Sequence, residues 1–195
     1  MLVELNELNK SYHNGVFEVA ALKNINLKIN KGEFTVFAGP SGSGKTTLLN
    51  IVGTMDKLSS GEVRVDGIEL SALSKNEASD FRKDKIGFIF QSYNLIPVLT
   101  VYENVEFILD LVGKFTKSEK ELKINTLLEE LGLLEYKNRK PSELSGGQQQ
   151  RVAIARALIK EPLIVLADEP TANLDSKTGE NILDLMKKLN EDKGV

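Results

Sequence analysis

The sequence predicts an α/β fold with a parallel sheet, an N-terminal antiparallel β part and an inserted helical subdomain. A glycine-rich loop at residues 39–46 lies between an apolar run at 34–38, expected to be a buried strand, and a predicted helix at 47–52. Apolar and polar residues alternate at 2–8, before this loop, as in a half-exposed strand. Helical periodicity dominates residues 92–160, after the loop.

The glycine-rich loop has the composition of a phosphate-binding site. Its glycines allow the backbone N–H groups to approach an anion, and the following helix directs its positive end at the same place. Lys45 adds a positive charge for the outer phosphates, and the Thr46 hydroxyl suits Mg²⁺. A plain turn is the alternative, and the agreement of the flanking elements argues against it. The residues assigned to the site are Gly39, Pro40, Ser41, Gly42, Ser43, Gly44, Lys45, Thr46 and Thr47.

Composition and charge exclude several classes of function. The chain has 195 residues, 41% hydrophobic and 27% charged, as in an ordinary globular domain. A net charge of -3 lacks the basic excess of nucleic-acid-binding proteins, so we expect no nucleic-acid partner. The lack of cysteine excludes disulfides and thiolate metal sites. No apolar run approaches the ~20 residues that cross a bilayer, and the N-terminus lacks a secretory pattern. We therefore expect a cytoplasmic protein whose membrane link runs through another protein.

The first part of the chain is predicted to add antiparallel strands. The alternation at 2–8 is repeated at 25–29. The pair Asp66-Gly67 between two short apolar runs predicts a hairpin over 61–70, because Asp-Gly favours the turn that matches strand twist. Tyr12 lies between the first two strands, where an aromatic ring could stack on a nucleotide base. Taken alone, Tyr12 is more typical of a sheet or turn aromatic.

Two apolar runs are predicted to be buried strands that end on polar residues. Residues 86–90 lead to Gln91, and residues 163–167 lead to Asp168 and Glu169. Because ligands of open α/β sheets gather beyond the strand ends, these side chains are candidate site residues. Two carboxylates buried there would be costly without a cation.

The helical stretch at 92–160 is predicted to be a second subdomain. A capping box that begins at Ser118 opens one helix, and another begins at Ser145. For Ser145, capping is the alternative to a functional role. The segment Tyr93–Thr100 is apolar in a loop-like context, which is costly in water and indicates a covered or partner-facing surface.

These motifs together resemble the ATP-binding subunits of ABC transporters, and the resemblance covers nearly the whole chain. It depends on the phosphate loop, Gln91, the pentad Leu144-Ser145-Gly146-Gly147-Gln148, and the apolar run before Asp168-Glu169. The pentad is the most specific feature, since phosphate loops occur in many NTPase classes. Residues 94–97, 103–105 and 174–179 look like the lipoprotein-releasing and macrolide- or peptide-exporting branch. The resemblance implies a P-loop NTPase core with antiparallel β part at 1–91, a helical subdomain at 92–160 and a return to the core at 161–195.

The resemblance also implies the role of each site residue, for ATP and Mg²⁺ as cofactors. Tyr12 would stack on adenine. The catalytic residues would be Lys45, Gln91 and Glu169, with Glu169 polarising the attacking water. The Mg²⁺ ligands would be Thr46, Gln91 and Asp168. Ser145, Gly147 and Gln148, with Gly146 in the same set, would close on the γ-phosphate of ATP held by a second subunit, and Asp175 would transmit closure across the dimer. Positioning and charge neutralisation would then supply most of the catalysis.

The implied partners are a second copy of the chain, paired head to tail, and a membrane permease bound through Tyr93–Thr100. The protein would then be peripheral on the inner face of the cell membrane and would power export or lipoprotein and peptide extraction, with the cargo chosen by the permease. The alternative is a dimerising nucleotide switch with little turnover, as in the related cell-division branch or a truncated form. The family's switch histidine, with its strand, has no counterpart before Val195, and His13 lies in another motif. We therefore expect a short form that hydrolyses ATP slowly.

Overall fold

The N-terminal part of the chain forms the antiparallel sheet that the alternating patterns predict. The computed structural model describes residues 1–15 and 17–195. The strands are β1 (Val3–Asn14), β2 (Phe17–Ile29), β3 (Ser60–Val65) and β4 (Ile68–Glu69), in the order β2-β1-β3-β4. The turn between β3 and β4 places Asp66 at φ 51° and Gly67 at φ 77°. Positive φ at both positions is what a type I′ hairpin turn requires, so the hairpin prediction is confirmed.

The strands predicted to end at the site form a separate parallel sheet. Strand β5 (Ile86–Ile89) pairs with β6 (Ile164–Ala167), with Ile86 opposite Ile164 and Ile89 opposite Ala167. Helices α1 (Lys45–Val52) and α2 (Lys75–Lys85) precede β5 in the chain. The mixture of antiparallel and parallel sheets with helices confirms the predicted α/β class.

Helices fill most of the stretch between β5 and β6. They are α3 (Val101–Val112), α4 (Lys117–Glu130) and α5 (Gly146–Leu158), and α6 (Ser176–Lys193) follows β6. Helix α3 buries Val101, Val105 and Leu109 on one face, as its periodicity predicts. Helix α5 approaches β5 so closely that a Cβ on Gly87 would lie 2.6 Å from the Ala157 carbonyl oxygen. This contact places the helix that follows the pentad directly on the parallel sheet.

The predicted start of α4 at a Ser118 capping box is wrong. The Thr116 side chain accepts a hydrogen bond from the Glu119 N–H, and the Glu119 carboxylate accepts one from the Thr116 N–H at 2.7 Å. The sequence offers this spacing twice, because Ser118 and Glu121 repeat it two residues later. The earlier box leaves Ser118 inside the helix and adds residues to α4, which lengthens its hydrogen-bonded core.

The prediction of a buried strand at 34–38 is also wrong. The structure describes these residues without strand conformation, and the described part of the chain contains no strand paired with them. The Phe34 and Val36 side chains are 39% and 73% exposed. An apolar run can specify an extended segment, but a strand needs a hydrogen-bonded neighbour, which local sequence does not supply.

The chain divides into two compact units. The first comprises Met1–Arg82 with Leu189–Val195, and the second comprises Lys83–Lys188. These bounds differ from the division at 1–91, 92–160 and 161–195, which remains a prediction. Over the described residues, none of the helices combines the length and apolar character needed to span a bilayer.

Candidate functional site

The phosphate loop lies in the first unit, directly before α1. Gly42 and Gly44 have φ values of 79° and 92°, a region that residues with a Cβ rarely adopt. A Cβ on Gly44 would also lie 2.6 Å from the Ala21 carbonyl oxygen. The Lys45 ammonium donates to the carbonyl oxygens of Gly39 at 2.8 Å and Pro40 at 3.0 Å. The loop therefore wraps around the lysine side chain at the positive end of a helix, an arrangement suited to polyphosphate.

Tyr12 lies beside the first turn of α1. Its ring is 42% exposed, and its hydroxyl donates to Asp56 Oδ2 at 2.6 Å. This hydrogen bond is the main reason why the pKa of Tyr12 is raised above 10.0, while a hydrogen bond with the Thr47 side chain acts in the opposite direction. The structure thus brings Tyr12 to a residue of the phosphate loop helix.

The parallel strands of the second unit deliver the polar residues predicted at their ends. Ile89 and Ala167 are opposite each other, and the Asp168 N–H donates to the Ile89 carbonyl at 2.9 Å. Gln91 and Asp168 therefore follow strands that end at the same edge of this sheet. Asp168 is half-buried and Glu169 is exposed, with φ 47°, so the cost of burying two carboxylates does not arise here. A short strand at the edge of a sheet of two strands cannot enclose the residues beyond its end.

The pentad begins α5 and uses its polar side chains to cap that helix. Ser145 Oγ accepts from the Gln148 N–H at 3.3 Å, and Gln148 Oε1 accepts from the Ser145 N–H at 2.9 Å. The pentad glycines permit close contacts, since a Cβ on Gly147 would lie 2.7 Å from Thr178 Cγ2. A Cβ on Gly146 would lie 3.1 Å from the Tyr93 hydroxyl. The capping interpretation of Ser145 is therefore confirmed, and a role toward ATP remains a prediction.

Asp175 caps α6. Its Oδ1 accepts from the Thr178 N–H at 3.0 Å, and its carbonyl accepts from the Gly179 N–H at 2.8 Å. The hydrogen bonds with Thr178 hold the pKa of the Asp175 carboxyl below its ordinary value of 3.8. Two residues earlier, the Asn173 amide donates to the Gln91 carbonyl at 2.8 Å. The turn before α6 is thus bonded to the end of β5, which sequence reasoning did not predict.

The apolar segment Tyr93–Thr100 is held by residues to which the sequence analysis gave no role in this segment. Asn104 on α3 is fully buried, and its side-chain amide donates to the carbonyls of Ile96 and Leu99, each at 3.1 Å. Arg156 on α5 donates to the Asn94 carbonyl. Burial lowers the pKa of the Arg156 guanidinium. In the sequence, Asn104 stands out as a polar residue on the otherwise apolar stripe of α3, whereas no feature of the sequence points to Arg156.

The predicted site residues are divided between the units. Tyr12 and residues 39–47 belong to the first unit, and Gln91, the pentad, Asp168, Glu169 and Asp175 belong to the second. Within each unit, the structure brings together Tyr12 with Thr47, Gln91 with the turn before Asp175, and the pentad glycines with α6.

Comparisons with known proteins agree with this set of motifs. The family model described as ABC transporter matches residues 22–172. The chain is 51% identical to the uncharacterized ABC transporter ATP-binding protein MJ0796 of Methanocaldococcus jannaschii, over 99% of this chain and 83% of that protein. It is 44% identical to the bacitracin export ATP-binding protein BceA of Halalkalibacterium halodurans, over 97% of this chain and 75% of that protein. It is 48% identical to the macrolide export ATP-binding/permease protein MacB of Mannheimia succiniciproducens, over 98% of this chain but 30% of that protein.

A solved structure shows the same fold. It is the dimeric structure of a post-hydrolysis state of the ATP-binding cassette MJ0796 bound to ADP and Pi, with a TM-score of 0.88 and 50% identity over 99% of this chain and 84% of that one. The family model covers well over half of the chain, and the MJ0796 protein is 51% identical over nearly the whole chain. The chain therefore belongs to the ABC transporter family, as one of its ATP-binding, ATP-hydrolysing domains.

Proposed function

We propose that this chain powers the export of a substrate, or its extraction from a membrane, by hydrolysing ATP while bound to a membrane permease. The observation that carries the proposal is the phosphate loop, in which Gly42 and Gly44 have positive φ and Lys45 lies at the N-terminal end of α1, where polyphosphate is favoured. Relatives that include a macrolide and a bacitracin export protein support export as the process.

The residues of this chain also fit a bound Mg²⁺. Thr46, Gln91 and Asp168 offer hydroxyl, amide and carboxylate oxygens, which are the ligands that Mg²⁺ prefers. Among residues 1–15 and 17–195, no group of three acidic, histidine or cysteine side chains gathers as a metal cage. This composition suits an ion held by few protein oxygens together with substrate phosphates. When bound, Mg²⁺ would neutralise phosphate charge.

The roles of the chain's own residues follow from the phosphate chemistry. Lys45 would bind the outer phosphates through its charge, and Glu169 would orient the attacking water and accept its proton. Glu169 is exposed beyond the end of β6, which is compatible with contact to water. Such positioning supplies most of the rate gain in phosphoryl transfer.

A second copy of the chain is the proposed partner for turnover. Ser145, Gly146, Gly147 and Gln148 would contact ATP bound to the other subunit, in a head-to-tail dimer. The N-terminal end of α5 presents backbone N–H groups, which suit a γ-phosphate. The dimeric structures of the MJ0796 cassette support this assembly.

The segment Tyr93–Thr100 is the proposed dock for the permease, at the inner face of the cell membrane. Val98 is 70% exposed although the segment's backbone is fixed by Asn104, so an apolar side chain is presented on a rigid loop. Rigid presentation lowers the ordering cost of binding a partner.

Two measurements test the function. One is the rate of phosphate release from ATP in the presence of Mg²⁺, and the other is the affinity for ATP from titration calorimetry. Lys45→Ala should abolish ATP binding, because the charge facing the polyphosphate is lost. Lys31→Ala, an exposed lysine of the same unit, is the matched control and should bind ATP as the parent chain does. Unchanged affinity in Lys45→Ala would contradict the site. Tight binding with phosphate release near background would instead support a nucleotide switch.

A further inference from the structure

We propose that Asp56, anchored by Lys10, is a positioning residue that holds the Tyr12 ring in the orientation needed to stack on the nucleotide base. The inference rests on the proposed function, since it assumes that Tyr12 meets the base of a nucleotide bound at the phosphate loop. All the residues involved lie in the first unit.

The Asp56 carboxylate accepts hydrogen bonds from both sides. Lys10 donates to Oδ1 at 2.8 Å, and the Tyr12 hydroxyl donates to Oδ2 at 2.6 Å. Lys10 is only 8% exposed and also donates to the Lys57 carbonyl at 2.6 Å. Its buried charge is thus fully paired, and the ion pair fixes the carboxylate that receives the tyrosine.

The ring of Tyr12 is held at a face as well as at its hydroxyl. Lys10 Nζ lies 4.6 Å from the ring centroid, a cation–π distance, and Lys10 and Tyr12 project from the same face of β1. One face of the ring is therefore occupied by the ammonium group. The ring is nevertheless 42% exposed, which leaves aromatic surface for a planar ligand.

Asp56 is itself tied to the phosphate loop helix. The N–H groups of Met55 and Asp56 both donate to the Asn50 carbonyl, at 2.8 and 3.1 Å. Asn50 lies on α1, whose first residue is Lys45. The distance between the phosphate-binding lysine and the ring is thereby set through a rigid helix, so Asp56 relates the base contact to the phosphate contact.

If Asp56 preorganises the Tyr12 ring, its loss should lower the affinity only for ligands that carry a base. Freeing a side chain that must be ordered on binding weakens binding by about 2- to 10-fold. Tyr12→Phe removes only the hydroxyl and keeps the ring, and Asp56→Ala removes the acceptor. Each should weaken ATP binding to this extent while inorganic tripolyphosphate, which has no base, binds within about 2-fold of the parent chain.

The experiment measures the ratio of ATP to tripolyphosphate affinity by titration calorimetry on the full chain. Tyr12→Phe, Asp56→Ala and their combination should lower the ratio by similar factors, because both changes break the Tyr12–Asp56 hydrogen bond. Tyr12→Phe also removes the hydrogen bond with Thr47, so Asp56→Ala is the more specific of the two variants. A Lys10→Met/Asp56→Leu variant avoids an unpaired buried lysine and should behave in the same way. Tyr136→Phe, a tyrosine of the second unit, should leave the ratio unchanged.

Three outcomes would overturn the proposal, and they separate it from the proposed base contact. If Tyr12→Ala lowers the ratio by about 5- to 100-fold, as the loss of stacking predicts, but Tyr12→Phe and Asp56→Ala leave it unchanged, Asp56 has only a structural role. If Tyr12→Ala does not change the ratio, Tyr12 does not meet the base and both ideas fail. If Asp56→Ala weakens the binding of ATP and of tripolyphosphate equally, Asp56 again has only a structural role.

Discussion

Asn104 and Ile96 exchange two hydrogen bonds. The Ile96 N–H donates to Asn104 Oδ1 at 2.8 Å, and Asn104 Nδ2 donates back to the Ile96 carbonyl at 3.1 Å. The same amide nitrogen lies 3.1 Å from the Leu99 carbonyl and 2.9 Å from that of Thr100. A fully buried side chain thus bonds the Ile96 N–H and the Leu99 carbonyl, and it adds to the hydrogen bonds that the Ile96 and Thr100 carbonyls accept from backbone N–H groups.

Replacing Asn104 should lower the free energy of unfolding of the protein. Asn104→Ala removes the side-chain partner of the Ile96 N–H and of the Leu99 carbonyl and creates a small cavity, so we expect about 2–4 kcal/mol less free energy of unfolding. Denaturant titration followed by circular dichroism measures the loss. The exposed Asn138→Ala is the matched control and should change stability by less than about 0.5 kcal/mol. Equal stabilities of the two variants would show that the amide is dispensable.

Val98 should contribute to membrane association without contributing to the fold. Its side chain is 70% exposed, so Val98→Asp places a charge in the proposed dock at little cost to stability. We expect less protein in the membrane fraction of cells that contain its permease, with unchanged ATP affinity. Leu122→Asp, on α4 and 71% exposed, is the control for an equal charge elsewhere. Retention of Val98→Asp at the membrane would place the dock on another surface.

The N-terminus of α4 offers a direct test of which capping box forms. Thr116→Ala should lower the free energy of unfolding by about 1 kcal/mol, because an N-cap hydrogen bond is lost. Ser118→Ala, inside the first turn, should be neutral or slightly stabilising, because alanine favours helix. Thermal or denaturant unfolding of both variants gives the answer, and the reverse order would restore the Ser118 box.

The sequence predicted the features that depend on local geometry. The hairpin turn at Asp66-Gly67 and the glycine-dependent backbone of the loop before Lys45 were predicted correctly, because the residues within each motif determine the backbone conformation. The prediction of a strand at 34–38 was wrong, because strand pairing depends on a neighbour that is remote in sequence. The role of Asn104 was overlooked because its position on the buried stripe of α3 shows that a polar residue is buried there but not that its partners are backbone groups of a remote loop.

Acid should weaken the fold partly through Asp56. Burial, the largest single influence, raises the pKa of this carboxyl, but hydrogen bonds from Lys10, Tyr12 and the Lys57 N–H together lower it below 3.8. A carboxyl with a lowered pKa in the folded state stabilises the protein above pH 3.8, and this stabilisation is lost as the pH falls through the folded-state value.

Asp56→Asn should therefore make the free energy of unfolding less dependent on pH below about 4, where an ordinary aspartate titrates. The measurement is denaturant unfolding at several pH values. Asp84→Asn is a matched control, since Asp84 also accepts from a lysine, Lys114, at 2.8 Å and its pKa is also lowered. Because Lys114 is far more exposed than Lys10, the control should have the smaller effect. Identical pH profiles for Asp56→Asn and the parent chain would show that this carboxyl does not contribute to acid stability.

Turnover should depend on the carboxylate that follows Asp168. Glu169→Gln keeps the size of the side chain but removes its ability to accept a proton from water, a function that typically contributes about 10²- to 10⁴-fold in rate. We expect phosphate release to fall by that factor while ATP affinity remains within about 2-fold, because Glu169 is proposed to act on the attacking water and not to bind a phosphate. Glu180→Gln, at an exposed position of α6, controls for loss of a negative charge from the same unit and should retain full turnover. The decisive measurement is the single-turnover rate at saturating ATP and Mg²⁺, since it isolates the chemical step from product release. A Glu169→Gln rate equal to that of Glu180→Gln would exclude Glu169 as the base.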